Sequence, residues 1–160
     1  MSFLHIIQQI ISEEIISYEI TIFAQLKHCN ISFENYVHLG EQSILEELQI
    51  ELNTILTLAK QGQQHGVVLA ILLLQGKLAL LQFNINKAQS LFQRVKNESK
   101  ERGFELFDHQ CTIELNKLRA QAEIATILEM SEKKKGDFRK QQTQEVFDYL
   151  KGVALQLQHT

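Results

Sequence analysis

The segment LLLQGKLALLQFNINKAQSLF, from Leu72 to Phe92, decides the fold of this chain. Its first half is almost entirely apolar, yet it contains a glycine, Gly76, which costs about 1 kcal/mol relative to alanine inside a helix. The short FNIN link predicts two antiparallel helices, which can approach closely only where their side chains are small. We therefore predict that Gly76 opens a gap for Ala88 and its neighbours, and that Phe92 fills the space one turn further along.

The composition favours a single all-helical domain. The chain has 160 residues, of which 44% are hydrophobic, and this is enough for one domain with a buried core. It contains no proline, the residue that most strongly interrupts helices and that sheet-rich proteins commonly use in their turns. We therefore predict an all-α fold over residues 1–160.

Net charge, cysteine spacing and hydropathy limit the classes of partner. The formal charge of −3 and the isoelectric point near 6.1 argue against a general nucleic-acid binder. Cys29 and Cys111 are far apart in the chain and are interpreted as buried thiols of a reduced, cytoplasmic protein, with one disulfide as the alternative. The longest apolar run, Val67–Leu74, is far shorter than the roughly 20 residues that span a bilayer, so no membrane partner is expected.

Apolar residues at helical spacing predict about six or seven helices. The first is predicted from Phe3 to about His28, and the HCNIS segment after it is predicted to be a turn with Ser32 as the next helix cap. Gly40 is expected to divide the following pattern, and the GQQHG segment at Gly62–Gly66 is expected to end it. The remaining helices are predicted over Val67–Gln82, Ile85–Arg102, Glu105–Lys134 and Phe138–Gln158, with the KKKGD segment separating the last two.

A similar sequence pattern occurs twice, with glycines Gly66 and Gly103 placed 37 residues apart, which suggests stacked helical hairpins. The segment over residues 69–102 resembles a tetratricopeptide repeat, a helix–turn–helix unit of about 34 residues with small residues at the helix crossing. Ala79 replaces the usual bulky aromatic residue of that family, and Val95 replaces its usual alanine. The positions that match the family in order and spacing are Leu72, Gly76, Ala88 and Phe92.

The resemblance implies a short solenoid of antiparallel hairpins, in which residues 103–160 form a long capping helix and a C-terminal helix. One clear repeat cannot bury a continuous core, so the flanking helices would complete the stack as degenerate units. A plain helical bundle is the alternative, because bundles also use small residues where their helices cross.

Repeat stacks of this family generally act as non-enzymatic scaffolds that bind another protein, so the resemblance implies a groove for a peptide or a partner helix. One alternative is that Leu73 and Leu80 simply belong to the core. Another is self-association through the isoleucine-rich first helix, which would make the protein a homo-oligomer. The groove-lining residues that the resemblance implies are Leu73, Lys77, Leu80, Phe107, Gln110 and Glu114.

A cationic cluster follows in the EKKKGDFRK segment. One interpretation is a helix C-terminus, where cations complement the helix dipole, followed by an exposed turn. The other is a dock for an acidic partner or for nucleic-acid phosphate, although the lack of interleaved aromatic residues beyond Phe138 does not support base recognition. The cluster consists of Lys133, Lys134, Lys135, Arg139 and Lys140.

No motif predicts catalysis, a metal ion or a cofactor. The six histidines include neither an H-x-x-x-H spacing nor an H-E-x-x-H motif. Phosphate-binding glycine motifs and the G-x-S-x-G nucleophile motif do not occur either. Lys151 and Gly152 resemble the residues that follow a phosphoryl-carrying histidine, but no histidine stands just before them. We therefore expect a protein that is not an enzyme and that binds no cofactor.

Overall fold

A computed structural model of the chain describes residues 2–122 and 132–158. These residues form six α-helices and no strand, which confirms the predicted all-α class. Consecutive helices pack against each other from the first to the fifth, as they would in a stack of hairpins, and the sixth packs on the first and third. The helices are α1 (Phe3–Leu39), α2 (Gln42–Gln61), α3 (His65–Leu81), α4 (Ile85–Arg102), α5 (Glu105–Ala122) and α6 (Glu132–Gln158).

Three consecutive helices begin at regular intervals. α3, α4 and α5 start at His65, Ile85 and Glu105, and a tight turn of the same kind precedes each start. In each turn a backbone N–H donates to the carbonyl five residues earlier, as in the common glycine-type helix ending. The residues that accept these bonds are small and buried: Ala59, Ala79 and Ser99. One hairpin therefore occupies about 40 residues, more than the roughly 34 of a tetratricopeptide unit, because each helix is about one turn longer.

Helix α3 is the centre of the fold. All of its residues from Val68 to Leu81 are buried, because α2, α4, α5 and α6 pack around it. A helix that is apolar on every side has no face for solvent, which explains why the run around Leu72 lacks a polar stripe. Every described helix except α1 therefore packs directly against α3.

The close approach predicted at Gly76 is made by Phe92 rather than by Ala88. A Cβ atom placed at Gly76 would lie 2.5 Å from Cε1 of Phe92, and the three atoms nearest to it all belong to that ring. Phe92 and Ala88 are both completely buried. The missing side chain at Gly76 thus makes room for an aromatic ring, and burial of the ring offsets the helix-propensity cost of the glycine.

The first helix is longer than predicted. α1 runs without interruption from Phe3 to Leu39, so the predicted turn at HCNIS and the predicted cap at Ser32 are wrong. That segment contains neither glycine nor proline, and Cys29 and Phe33 continue the buried stripe of the helix. α1 ends at Gly40, whose φ of 68° is the left-handed conformation that commonly terminates helices. Burial of one continuous stripe therefore outweighs the local turn preference of the polar residues.

The end of the chain also differs from the prediction. α5 is described to Ala122, so residues 123–131 of the predicted long helix lie outside the described residues. α6 begins at Glu132 and continues through the KKKGD segment, so the predicted helix end there is wrong. Gly136 lies inside this helix, where nothing is within 4 Å of an added Cβ atom. One glycine costs about 1 kcal/mol, which is too little to end a helix of 27 residues.

Candidate functional site

Helix α6 lies antiparallel to α3 and covers the surface that the sequence indicated as a groove. Near the start of α6, the Phe138 ring is 5.7 Å from the ring of Phe83, which follows the end of α3. Further along, the hydroxyl of Tyr149 donates a hydrogen bond of 3.2 Å to the carbonyl of Ala70, in the first turns of α3. The implied groove is therefore covered by a helix of the same chain.

Four of the six implied groove residues come together in the structure. They belong to α3 and α5 and line a cavity of about 110 Å³. One side chain of α6, that of Tyr149, also lines this cavity. The lining residues are Leu73, Lys77, Gln110, Ile113, Glu114 and Tyr149.

The remaining two groove residues do not line this cavity. Leu80 is buried within α3, and the half-buried Phe107 packs edge-on against the ring of Phe104 at the start of α5. Leu73 lines the cavity but is also completely buried. The polar residues Lys77, Gln110 and Glu114 are therefore the part of the prediction that defines a candidate site.

A chain of alternating charges joins α3, α5 and α6. Lys77 Nζ lies 3.1 Å from Oε1 of Glu114, and these residues are only 8% and 6% exposed. Lys117 Nζ lies 3.6 Å from the same oxygen and 3.3 Å from Oε1 of Glu145 on α6. Lys77 also lies 5.5 Å from the centre of the Tyr149 ring, within the range of a cation–π contact. Polar contacts therefore contribute to the docking of α6.

Burial and nearby charge change the acidity of three groups at this site. Burial raises the pKa of Tyr149 far above its usual value, and the charge that Cys111 carries as a thiolate at high pH adds to the rise. Burial also raises the pKa of the Cys111 thiol to about 12, with a further contribution from Glu114. Burial by itself would lower the pKa of Lys117, but Glu114 and Glu145 outweigh it and the net shift is upward. At neutral pH Tyr149 is thus a hydroxyl donor, Cys111 an unreactive thiol and Lys117 a cation.

The apolar side of α6 has the spacing of a helix bound in a groove. Val146, Leu150 and Val153 follow at i, i+4 and i+7, and all three are buried. The sequence identified these positions as apolar. It did not reveal that Glu145 and Tyr149, on the same helix, make polar contacts with α5 and α3. One feature of the sequence could have indicated this arrangement. Because α3 is apolar on nearly every side, other helices must pack all around it, and the C-terminal helix has an apolar face to bury. The surface that receives α6, made of Lys77, Gln110, Glu114, Lys117 and the Ala70 carbonyl, is called the α6 seat below.

Several polar atoms at this interface are buried without a hydrogen-bond partner among the described residues. They are Oε1 of Gln110 on α5, and Oε1 of Gln142 and Oε2 of Glu145 on α6. Most buried polar atoms in proteins are paired, and each unpaired one costs about 1–3 kcal/mol. The packing of α6 in the described residues therefore leaves some buried polar atoms without a hydrogen bond.

The cationic cluster lies in the first turns of α6, so its interpretation as the C-terminus of a helix is wrong. Lys135 lies 3.6 Å from Glu132, and Arg139 lies 5.0 Å from the centre of the Phe83 ring, which also packs against Phe138. Arg139 therefore helps to hold the start of α6 on the turn between α3 and α4. Recognition of an acidic partner or of nucleic acid by the cluster stays a prediction. Its exposed members are Lys133, Lys134, Arg139 and Lys140.

The two cysteines are free and buried, as the sequence predicted for core thiols. Burial raises the pKa of Cys29 far above its usual value, and the charge of Glu51 on α2 adds to it. Over residues 2–122 and 132–158, no group of three or more His, Cys, Asp or Glu side chains is placed to hold a metal ion. None of the helices described there combines the length and the hydropathy needed to cross a bilayer.

Comparison with known proteins gives no match. No protein-family model matches the chain. Neither a curated protein nor a solved structure matches it.

Proposed function

We propose that this protein is a non-enzymatic scaffold that binds a helix of another protein at the α6 seat. The observation that carries the proposal is the way α6 itself is bound, as an amphipathic helix with anchors at Val146, Leu150 and Val153 on a surface formed by other helices. α6 is then the resident helix, and a partner helix takes its place. The resemblance of residues 69–102 to a protein-binding repeat supports the same function.

The α6 seat indicates the chemistry of the partner helix. Lys117 binds a carboxylate of α6, and the Ala70 carbonyl accepts a hydrogen bond from a tyrosine hydroxyl four residues further along α6. Helix residues four apart lie on the same face, so one face presents both groups. The partner is therefore an amphipathic helix with an acidic residue, a tyrosine four residues later and apolar residues beside each of them.

The polar character of the seat allows α6 to be replaced. An equivalent helix can form the same ion pair with Lys117 and the same hydrogen bond with Ala70, so exchange costs little in polar contacts. The unpaired oxygens of Gln142 and Glu145 also lower the affinity of α6 for its seat. A partner that leaves fewer polar atoms unpaired would bind in preference to α6.

The proposal is tested with a fluorescently labelled peptide of residues 132–158 added to the full chain. Leu150 is 1% exposed, so Leu150→Asp should loosen the resident helix and increase the affinity for the peptide at least about tenfold over wild type. Gln141→Asp is the matched control, since it places the same charge on the exposed side of α6 and should leave the affinity unchanged. Fluorescence anisotropy measures the affinity, and circular dichroism checks that both variants are folded.

Two further measurements decide whether the peptide occupies the seat. A peptide with alanine in place of Glu145 and Tyr149 should bind the Leu150→Asp chain far more weakly, because it lacks both polar contacts. Alkylation of Cys111, which is buried close to Tyr149, should be faster in the Leu150→Asp chain and slow again once the peptide is bound. A folded Leu150→Asp chain that binds neither peptide would refute the proposal.

A further inference from the structure

The N-terminal part of α1 extends beyond the rest of the first hairpin. α1 contains 37 residues, whereas its neighbour α2 contains 20. Tyr18 lies beside the end of α2, since Cγ of its ring is 3.6 Å from the Cβ position of Gly62. The preceding residues of α1 extend beyond α2 for roughly 20 Å at 1.5 Å per residue. Residues 3–13 are called the N-terminal arm below.

The arm has one apolar face and one polar face. With 3.6 residues per turn, its apolar side chains fall within an arc of about 160°, and its polar side chains occupy the opposite side. Five of the apolar side chains, Phe3, Leu4, Ile6, Ile7 and Ile10, are between 36% and 78% exposed. The polar residues of the arm are His5, Gln8, Gln9, Ser12 and Glu13.

This face is too large to be a set of scattered surface residues. Five large apolar side chains that keep about half of their surface leave on the order of 500 Å² of contiguous apolar area, which is typical of an interaction site. Two such faces packed together would bury on the order of 1,000 Å², the lower limit for a specific protein interface. The arm therefore has enough area for a weak but specific pairing.

The chemistry of the arm favours a second copy of the chain as the partner. Residues 3–12 contain no Asp, Glu, Lys or Arg, so two arms can meet without charge repulsion. Helices that lie on membranes typically carry Lys or Arg on their polar face, and residues 3–13 contain neither. In opposite directions, two arms align their helix dipoles favourably and place Phe3 of one copy against Ile10 of the other.

We infer that two copies of this protein pair through their N-terminal arms, antiparallel about a two-fold axis close to Ile6 and Ile7. The pairing should be weak, because the buried area is at the lower limit for specific complexes. The pairing does not rest on the helix-binding function, because the arm contributes none of the residues that define the α6 seat. A dimer would carry two seats and would bind a partner with two helices more tightly through avidity.

Analytical ultracentrifugation of the full chain between about 1 and about 300 µM tests the pairing. Wild type should shift from monomer to dimer across this range. Ile6→Glu/Ile10→Glu should weaken dimerisation at least about tenfold, because it places charges within the apolar face. Gln8→Glu/Gln9→Glu is the matched control, which adds the same two charges on the polar face and should dimerise like wild type. Both pairs of residues are exposed, so both variants should fold, as circular dichroism would check.

The orientation is tested by mixing a Phe3→Cys chain with an Ile10→Cys chain under mild oxidation. Antiparallel arms should give mainly the mixed disulfide, whereas a predominance of disulfides between identical chains would overturn the orientation. Wild type that stays monomeric at the highest concentration, or equal dimerisation of the two double variants, would overturn the pairing itself. Binding of monomeric wild type to neutral phosphatidylcholine vesicles, lost in Ile6→Glu/Ile10→Glu, would overturn it in favour of a lipid surface.

Discussion

Helix α3 is packed differently by α4 and by α6. On the α4 side, the ring of Phe92 fills the space at Gly76, and none of the unpaired buried side-chain atoms in the described residues belongs to α3 or α4. On the α6 side, Lys77 contacts a carboxylate of α5 and the ring of Tyr149, and two buried oxygens of α6 have no partner. The α4 side of α3 is thus packed mainly by apolar contacts, whereas the α6 side combines apolar packing with ion-pair and hydrogen-bond contacts.

The largest effect is expected for Leu73→Asp. Leu73 is completely buried in α3, so an aspartate there would lose packing and bury an unpaired charge. The free energy of unfolding should fall by more than about 4 kcal/mol, measured by urea denaturation. Leu106→Asp is the control, because Leu106 is 58% exposed and the change should cost little. Similar unfolding midpoints for the two variants would contradict the central position of α3.

The second largest effect is expected at the buried ion pair between Lys77 and Glu114, and the loss of stability should differ between the two residues. Glu114→Ala leaves Lys77 buried without its anion and should lower the free energy of unfolding by about 3 kcal/mol. Lys77→Met should lower the free energy of unfolding by only about 1 kcal/mol, because Glu114 retains its ion pair with Lys117, at 3.6 Å. Chemical denaturation of both variants measures the difference. Equal losses would show that Lys117 does not compensate for the missing lysine.

Two glycine substitutions separate packing from helix propensity. Gly76→Ala should destabilise the protein by about 1–3 kcal/mol, because the new Cβ atom would meet the buried Phe92 ring. Gly136→Ala, at a helical position with nothing within 4 Å, should stabilise it by up to about 1 kcal/mol. Thermal unfolding of both variants measures the sign of each effect. A stabilising effect of Gly76→Ala would mean that α3 and α4 leave enough space for an additional methyl group.

The smallest effect is confined to the α6 side. Tyr149→Phe removes the hydroxyl that donates to the Ala70 carbonyl and should weaken α6 docking by about 1 kcal/mol. Alkylation of Cys111 should then be up to about fivefold faster. Alkylation of Cys29 on α1, whose pKa responds to Glu51 on α2, should change less, because the lost hydrogen bond joins α6 to α3. Equal acceleration at both thiols would show that Tyr149 stabilises the whole domain and not only α6.

The α3–α4 hairpin could be predicted closely from the sequence. The predicted helices over Val67–Gln82 and Ile85–Arg102 agree within two residues with those observed, because apolar periodicity and the breaks between the helices are local signals. The turn predicted after His28 was wrong because a local preference of polar residues competes there with the burial of a long stripe, which only packing against α2 reveals. Helix existence was therefore easier to predict than helix length.

Part of the candidate site was also predictable. Lys77 and Glu114 are 37 residues apart, the same interval as the glycines of the repeated pattern, and they form a direct ion pair. The resemblance to a repeat stack placed both residues on one surface, although the starts of α3 and α5, at His65 and Glu105, are 40 residues apart and not 37. Lys117, Glu145 and Tyr149 could not be added, because their contacts depend on how α6 crosses α3 and α5.

By itself, the sequence determined that this protein is all-helical and that Gly76 needs a close neighbour, because these properties follow from local composition and periodicity. Only the tertiary structure decided that Phe92 is that neighbour, that α1 continues through HCNIS and that α6 covers the implied groove. The physical reason is that an apolar face requires burial but does not specify against which element. That choice depends on shape and charge contributed by residues far apart in the chain.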